Sequence, residues 1–295
     1  MNIIVGAGLA GLITGSVFPK AEIFESGAEQ QSSHKAVLRF RTTAVGDTTG
    51  VAFKKVKVNK GLWFDGKFVK TDIRLANLYS KKVLGKLADR SIWNLDSVER
   101  YIAPDDLIPQ LIDRCGNRIK WNTTLDKIPS GAISTIPMES LAKLLDFPEI
   151  PKFEYSSIQV KRFTVEGADV YQTVYYPCPN LNVYRASITK DLLIAEFVKY
   201  PNIEDLDAIL MSFGLNYLDV KKLEQVQQKF GKIAPIDEGW RRNFIYQTTK
   251  QHGIYSIGRF ATWRNVLLDD IVHDAQVIKQ LIQGDEYANK KINLK

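Results

Sequence analysis

Residues Gly6-Ala7-Gly8-Leu9-Ala10-Gly11 form a GxGxxG pattern between an apolar stretch at 2–5 and a run of small and apolar residues at 9–17. Each glycine has its own chemical reason. Gly6 permits a tight turn out of a strand, and Gly8 lets backbone amides, among them those of Leu9 and Ala10, approach a pyrophosphate. Gly11 allows the following helix to pack closely on the strand, so that the helix N-terminus faces the phosphates. Glu25, followed by Ser26, ends a second apolar stretch at 21–25. A carboxylate there accepts hydrogen bonds from ribose hydroxyls and disfavours a 2′-phosphate, which argues against NADP. The spacing alone does not separate NAD from FAD.

Other residues offer charge and aromatic surface. His34 and Lys35 lie in the segment 33–41, where Arg39 and Arg41 share one strand face and would point at anions. A plain basic strand is the equal alternative. Arg185 would either hold a substrate phosphate through a bidentate fork or sit in a strand-face ion pair. Tyr176 and Tyr184 would line a pocket and stack on a base or sugar, although sheet tyrosines more often simply pack. The three histidines are dispersed, and Cys115 and Cys178 are too few and too scattered for a disulfide framework or a metal site. GxSxG, HExxH, CxxC and Walker patterns are absent, which leaves hydrolase and ATPase readings without support.

These groups need a scaffold. The stretches 2–5, 9–17 and 21–25 predict a βαβ opening with short connections. Residues 26–33 read as a loop and 35–70 as strands and turns broken by glycine. Helical spacing covers 72–87 and 105–114, and a buried-type strand runs over 131–137 and ends at proline. Residues 152–187 alternate aromatic, β-branched and polar side chains and predict an antiparallel sheet. Helices follow at 203–213 and 240–251, then an apolar strand at 254–257. Leu267, Leu268, Ile271, Val272, Ala275, Ile278 and Ile282 give a last helix its apolar stripe. The expected organisation is α/β: a discontinuous Rossmann-like domain (1–70, 116–150 and 230–295) with an inserted substrate domain (71–115 and 151–229) of antiparallel sheet and helices.

The C-terminal region separates the cofactors. Residues 253–259 form a strand running into a Gly258-Arg259 turn, and a long helix begins near Asp269. This arrangement resembles flavoproteins of the glutathione-reductase type, in which such a turn approaches the flavin and the next helix points its N-terminus at the ring. The resemblance implies FAD, held in addition by Gly258, Arg259, Asp269, Asp270 and Ile271, with His34, Lys35 and Arg39 near the flavin or its phosphates. The stretch GIYSIGRFATWRNVLLDDIVHDAQVIKQL is similar to the C-terminal motif of UDP-galactopyranose mutases and amine-oxidase-like flavoproteins, with Gly258, Arg259, Trp263 and Asp269 or Asp270 at the matching positions. Residues 132–137 look like that group's return strand, residues 175–185 resemble the mutase segment with a substrate-site arginine, and residues 232–236 resemble the segment before the penultimate helix. Arg185, Tyr176, Tyr184 and Trp263 are thereby implied on the substrate side. The chain is shorter than typical mutases, and its segment 26–70 lacks their glycine- and histidine-bearing pattern.

The resemblance implies an FAD-dependent oxidoreductase acting on a C–H beside an amine or alcohol. A mutase-like isomerase using reduced flavin and a non-catalytic flavin protein that binds DNA are the alternatives. The net charge of +7, from 40 Lys and Arg against 33 Asp and Glu, favours an anionic substrate: a nucleotide, a sugar nucleotide or modified DNA. Small size and basic balance also resemble phage-encoded flavoproteins that process hypermodified thymine bases in DNA. No apolar run approaches the ~20 residues that span a bilayer, so a cytoplasmic protein without a membrane partner is expected.

Overall fold

The structure, a computed structural model, describes residues 3–29, 38–88 and 92–293. His34 and Lys35 lie outside the described residues. In chain order the first elements are β1 (Ile3–Val5), α1 (Leu9–Val17), β2 (Glu22–Phe24), β3 (Arg39–Phe40), α2 (Ala44–Thr49), β4 (Lys54–Phe64) and β5 (Lys67–Phe68). Next come α3 (Ile73–Leu84), β6 (Val98–Ile102), α4 (Leu107–Cys115), β7 (Ile119–Lys120), β8 (Ile133–Ser134), α5 (Met138–Leu144), β9 (Tyr155–Val165) and β10 (Val170–Tyr175). The chain closes with β11 (Val183–Lys190), β12 (Leu192–Phe197), α6 (Ile203–Phe213), β13 (Val220–Ile233), α7 (Glu238–His252), β14 (Tyr255–Ser256) and α8 (Leu268–Asn293).

Two compact units result. The first contains Met1–Lys54, Tyr101–Glu154 and Ile233–Lys295, and the second Lys55–Arg100 and Tyr155–Lys232. The expected boundaries differ from these by a few residues at 151–154 and 230–232, and more widely in two further places. Residues 55–70 fall in the second unit because β4 pairs in parallel with β10, from Asn59↔Gln172 to Leu62↔Tyr175. Residues 101–115 fall in the first because Leu107, Ile108, Leu111 and Cys115 of α4 enter the same core as α1.

The first unit is built on a parallel sheet of order β14-β8-β1-β2-β7. Alternation along its short strands divides the side chains between two faces. Ile4, Ile23, Ile133 and Tyr255 join the core made with α1, α4 and α8. Ile3, Val5, Ala132 and Ile254 face the other core, which includes Phe244 of α7 and Leu141 of α5. Helix α1 has the predicted bounds. Helix α2 corrects the reading of 35–70 as strands and turns: it is only six residues long, too short to show a helical stripe, and ends at Gly50 with a φ of 69°.

In the second unit the sheet runs β13-β9-β12-β11-β10-β4; β9, β12, β11 and β10 pair antiparallel, and β10 with β4 in parallel. Ala208 and Ile209 of α6 pack on one face and Leu75, Ala76 and Tyr79 of α3 on the other. Helix α6 opens with a capping box, in which Asn202 Oδ1 accepts from the Asp205 N–H and Asp205 returns the bond to Asn202 N–H. Asp205 is fully buried, and its Oδ1 also accepts from the N–H groups of Asn182 (2.6 Å) and Val183 (2.9 Å). From the other side, Lys82 Nζ donates to the carbonyls of Tyr176 (2.8 Å), Cys178 (2.7 Å) and Val183 (2.6 Å). Burial lowers the Lys82 pKa to about 8. The connection from β10 to β11 thus has its carbonyls tied to a cation and its amides to an anion.

Asp205→Ala would strand three backbone donors, and a loss of about 3–5 kcal/mol in folding stability is expected. Asp205→Asn, which keeps one acceptor oxygen, should lose less. Denaturant unfolding of both variants, followed by circular dichroism, measures the difference.

Candidate functional site

At the turn from β1 into α1, Gly6 has a φ of 103°, a conformation that favours glycine. A Cβ at Gly6 would lie 2.2 Å from Thr135 Oγ1, and one at Gly11 would lie 1.9 Å from the Gly6 carbonyl oxygen. A Cβ at Gly8 would meet nothing within 4 Å. Two glycines are therefore demanded by the protein's own packing, while the third keeps open space at the start of α1. The helix has no acidic residue in its first turn and no side-chain cap from Gly8. Its first amides have no helical acceptors, and the helix dipole adds partial positive charge there.

Glu25 stands beside this loop. Its Oε2 accepts from Ala7 N–H at 2.8 Å and its Oε1 from Gly27 N–H at 2.8 Å, with Ser26 Oγ at 3.3 Å. One carboxylate thus fixes the glycine turn and still has lone pairs for the hydroxyls of a ribose. Thr135, which sequence reasoning missed, donates from Oγ1 to the Val5 carbonyl at 2.9 Å and fills the place of a Gly6 side chain. Its only signal was a hydroxyl within an apolar strand. Gly258, with a φ of 99°, closes on the same place: a Cβ there would lie 3.1 Å from Ala10 Cβ. The two glycine motifs, far apart in sequence, meet at the first turn of α1. Arg259 follows, half-buried, its guanidinium 5.6 Å from the Phe260 ring and its pKa lowered by burial. Arg39 lies on β3 opposite Ile102.

Several expected site residues have other work. Asp269 Oδ1 accepts from the N–H groups of Arg41 (3.0 Å) and Thr42 (2.9 Å) and from Thr42 Oγ1 (2.9 Å), so its carboxylate holds the chain after β3. Asp270 Oδ2 accepts from Leu267 N–H at 2.7 Å and caps α8. The Ile271 side chain lies in the core. Trp263, expected beside the substrate, is buried against Phe153, and its indole N–H donates to the Ala234 carbonyl at 2.8 Å. Tyr176 is fully buried with its hydroxyl 2.6 Å from Ser212 Oγ, so the packing reading holds for it rather than the ligand one.

Arg185 realises the ion-pair alternative. Its Nε donates to Glu196 Oε2 at 3.0 Å and its Nη2 to Oε1 at 2.5 Å. The side chain is nevertheless 43% exposed, and the Nη1 donors point outside this fork. Burial pushes the Glu196 carboxyl up, but the Arg185 charge and hydrogen bonds from Arg185 and Tyr184 hold it below its ordinary value. Burial raises the Tyr184 hydroxyl, and the Glu196 charge adds to that rise. Lys232 Nζ lies 5.0 Å from the centre of the Tyr184 ring. Among the described residues no cluster of three or more His, Cys, Asp or Glu could hold a metal ion. No described helix is long and apolar enough to cross a membrane.

No family model and no curated protein matches this sequence. Solved structures do match. Reduced UDP-galactopyranose mutase superposes with a TM-score of 0.67 at 14% identity, over 96% of this chain and 93% of that one. A redesigned putrescine oxidase gives 0.59 at 10% identity over 96% and 98%. Aklavinone-11 hydroxylase, solved with FAD and aklavinone, gives 0.55 at 13% identity over 95% of this chain and 61% of its own. At these identities the likeness is one of fold, and the fold is the α/β Rossmann type of these flavoproteins.

Gly11→Val should prevent α1 from seating on β1, giving protein that neither retains a dinucleotide nor reaches wild-type thermal stability. Gly8→Val should lose the ligand yet keep the melting temperature of the ligand-free wild type, because a bound ligand itself stabilises the fold; absorbance spectra and melting curves separate the two. The Glu196 carboxyl titrates below its unfolded value, so its stabilisation is present above the ordinary carboxylate range and is lost as pH falls through the folded value. The stability gap between wild type and Glu196→Gln should therefore close on acidification, as denaturant titrations across that range would record.

Proposed function

We propose that the first unit binds FAD and that the protein is an FAD-dependent oxidoreductase of the amine-oxidase-like group. The observation that carries this reading is the meeting of the two glycine motifs: Gly258 lies against Ala10, at the first turn of the helix whose open N-terminus begins at Gly8. A dinucleotide that uses only the N-terminal fingerprint has no need of the second turn. The residues present fit the group. The amides of Leu9 and Ala10 would hold the pyrophosphate, Glu25 a ribose, and Arg259 with the first turn of α8 the flavin end.

When bound, FAD supplies the two-electron acceptor that no side chain of this protein provides. The chain's own part is binding and electrostatics. Glu25 fixes the glycine turn and selects a ribose hydroxyl over a phosphate. In the second unit Arg185, held flat by Glu196, presents its remaining N–H donors to an anionic substrate. The substrate class that fits is a nucleotide-linked amine or alcohol, or a modified DNA base, oxidised at the adjacent C–H. Arg185 and the fold likeness to UDP-galactopyranose mutase support a second reading, an isomerase of a sugar nucleotide that works only with reduced flavin.

The test is anaerobic. Purified protein should show a visible flavin band that bleaches on adding an amine-bearing nucleoside or modified DNA. Absence of bleaching, with UDP-galactose converted only after chemical reduction, would replace the oxidase reading with the mutase one. Arg185→Ala should keep its flavin and raise KM by about tenfold with kcat less affected.

A further inference from the structure

The second unit contains a pocket of about 570 Å³ that has no place in the reading above. Its lining includes Leu62 and Val69, whose N–H donates to the Leu62 carbonyl, and Lys70 just beyond them. Asn59 and Gln172, register partners on β4 and β10, both line it. Phe68 forms one wall, and Phe213, at the end of α6, another. Lys70 lines it as well, while the Lys60 side chain shares the opposite face of β4 with Leu62.

The Phe68 ring is set in place and yet open. Gly61 lies beneath it, where a Cβ would come within 2.6 Å of the ring. Trp63 meets it edge-on, with centroids 5.0 Å apart and planes at 81°. Phe68 nevertheless remains 54% exposed, a fixed aromatic surface with a free face. Ser97 Oγ donates to Asn59 Oδ1 at 2.8 Å, which orients that amide and leaves its N–H donors to the pocket. Lys60 Nζ reaches the Asn94 carbonyl at 3.2 Å. Burial, then the Arg100 charge, lowers its pKa, and the Asp96 charge partly offsets them. The volume is that of a small-molecule site. Flat apolar rings, amides that read donor and acceptor edges, and a lysine suited to a phosphate form one set of complementary demands.

We propose that this pocket binds a heteroaromatic base carrying a phosphate, its ring against Phe68 and Phe213, its edge on Asn59 and Gln172, and its phosphate on Lys70. The proposal concerns the second unit alone and stands apart from the FAD reading of the first.

Calorimetric titration of the full-length, flavin-loaded protein tests it, with uridine and adenosine 5′-monophosphates, uridine, and inorganic phosphate as probes. The monophosphates should bind one per chain with Kd below about 1 mM. Lys70→Ala should weaken the monophosphates about tenfold and leave uridine unchanged, whereas Phe68→Ala and Gln172→Ala should weaken both. A single-stranded tetranucleotide distinguishes two sources of the same chemistry. Tighter, salt-sensitive binding that depends on Phe68 points to a strand, and affinity equal to the mononucleotide points to a free nucleotide. Absence of binding, equal competition by inorganic phosphate, or indifference to all three substitutions would overturn the assignment. Melting curves confirm that each variant is folded. The flavin band reports on the first unit separately, so a flavin-free protein with the expected pattern would sink only the FAD reading.

Discussion

The first unit depends on the near-contact between the start of α1 and the turn beneath it. With the Gly6 carbonyl oxygen 1.9 Å from where a Gly11 side chain would begin, only a bare α-carbon lets the helix sit this low on the sheet. From that seat Leu12 and Ile13 reach the core shared with α8 and α4, and Ala10 comes against Gly258. Glu25 and Thr135 secure the turn from either side through Ala7 N–H and the Val5 carbonyl. The open end of α1 is a consequence of this packing: the helix starts where the strand ends, with no side chain to cap it.

The second unit depends on a different kind of constraint. The link between β10 and β11 turns inward past two prolines, Pro177 and Pro179, and its backbone polar groups would be costly if left unpaired. Lys82 gathers three carbonyls and Asp205 two amides, so opposite charges are buried without a direct ion pair between them. This arrangement fixes where β11 begins. The register that follows sets Arg185 opposite Glu196 and Ser187 opposite Thr173. A one-residue slip would send Arg185 into the apolar face occupied by Ala186 and Ile188.

Much of this was legible in the sequence, and the illegible parts share a cause. The GxGxxG turn, the bounds of α1 and α6, and the apolar stripe of α8 rest on interactions between near neighbours, which spacing records. Strand β13 passed unread because Val220–Ile233 is rich in lysine and glutamine and lies at the end of the strand order among the described residues. Trp263 and Tyr176 looked like ligand residues because an aromatic with a polar tip has the same sequence appearance whether its tip meets a substrate or, as here, a carbonyl or a serine. Glu196, a lone acid in the apolar run 192–197, drew no reading, because its partner is set by the pairing of β11 with β12.

The sequence by itself determined that a nucleotide-type turn exists, since three glycines at fixed spacing have a local steric meaning that no tertiary context is needed to supply. It also determined an α/β chain whose nucleotide elements lie at both ends. Only the tertiary structure decided that Gly258 lies on Ala10, that Asp269 serves the chain after β3, and that Arg185 is shared between a carboxylate and open space. Those are contacts between residues tens to hundreds of positions apart. Such contacts leave no periodicity to read, because the geometry that joins them belongs to the packed cores and strand registers rather than to the local chain.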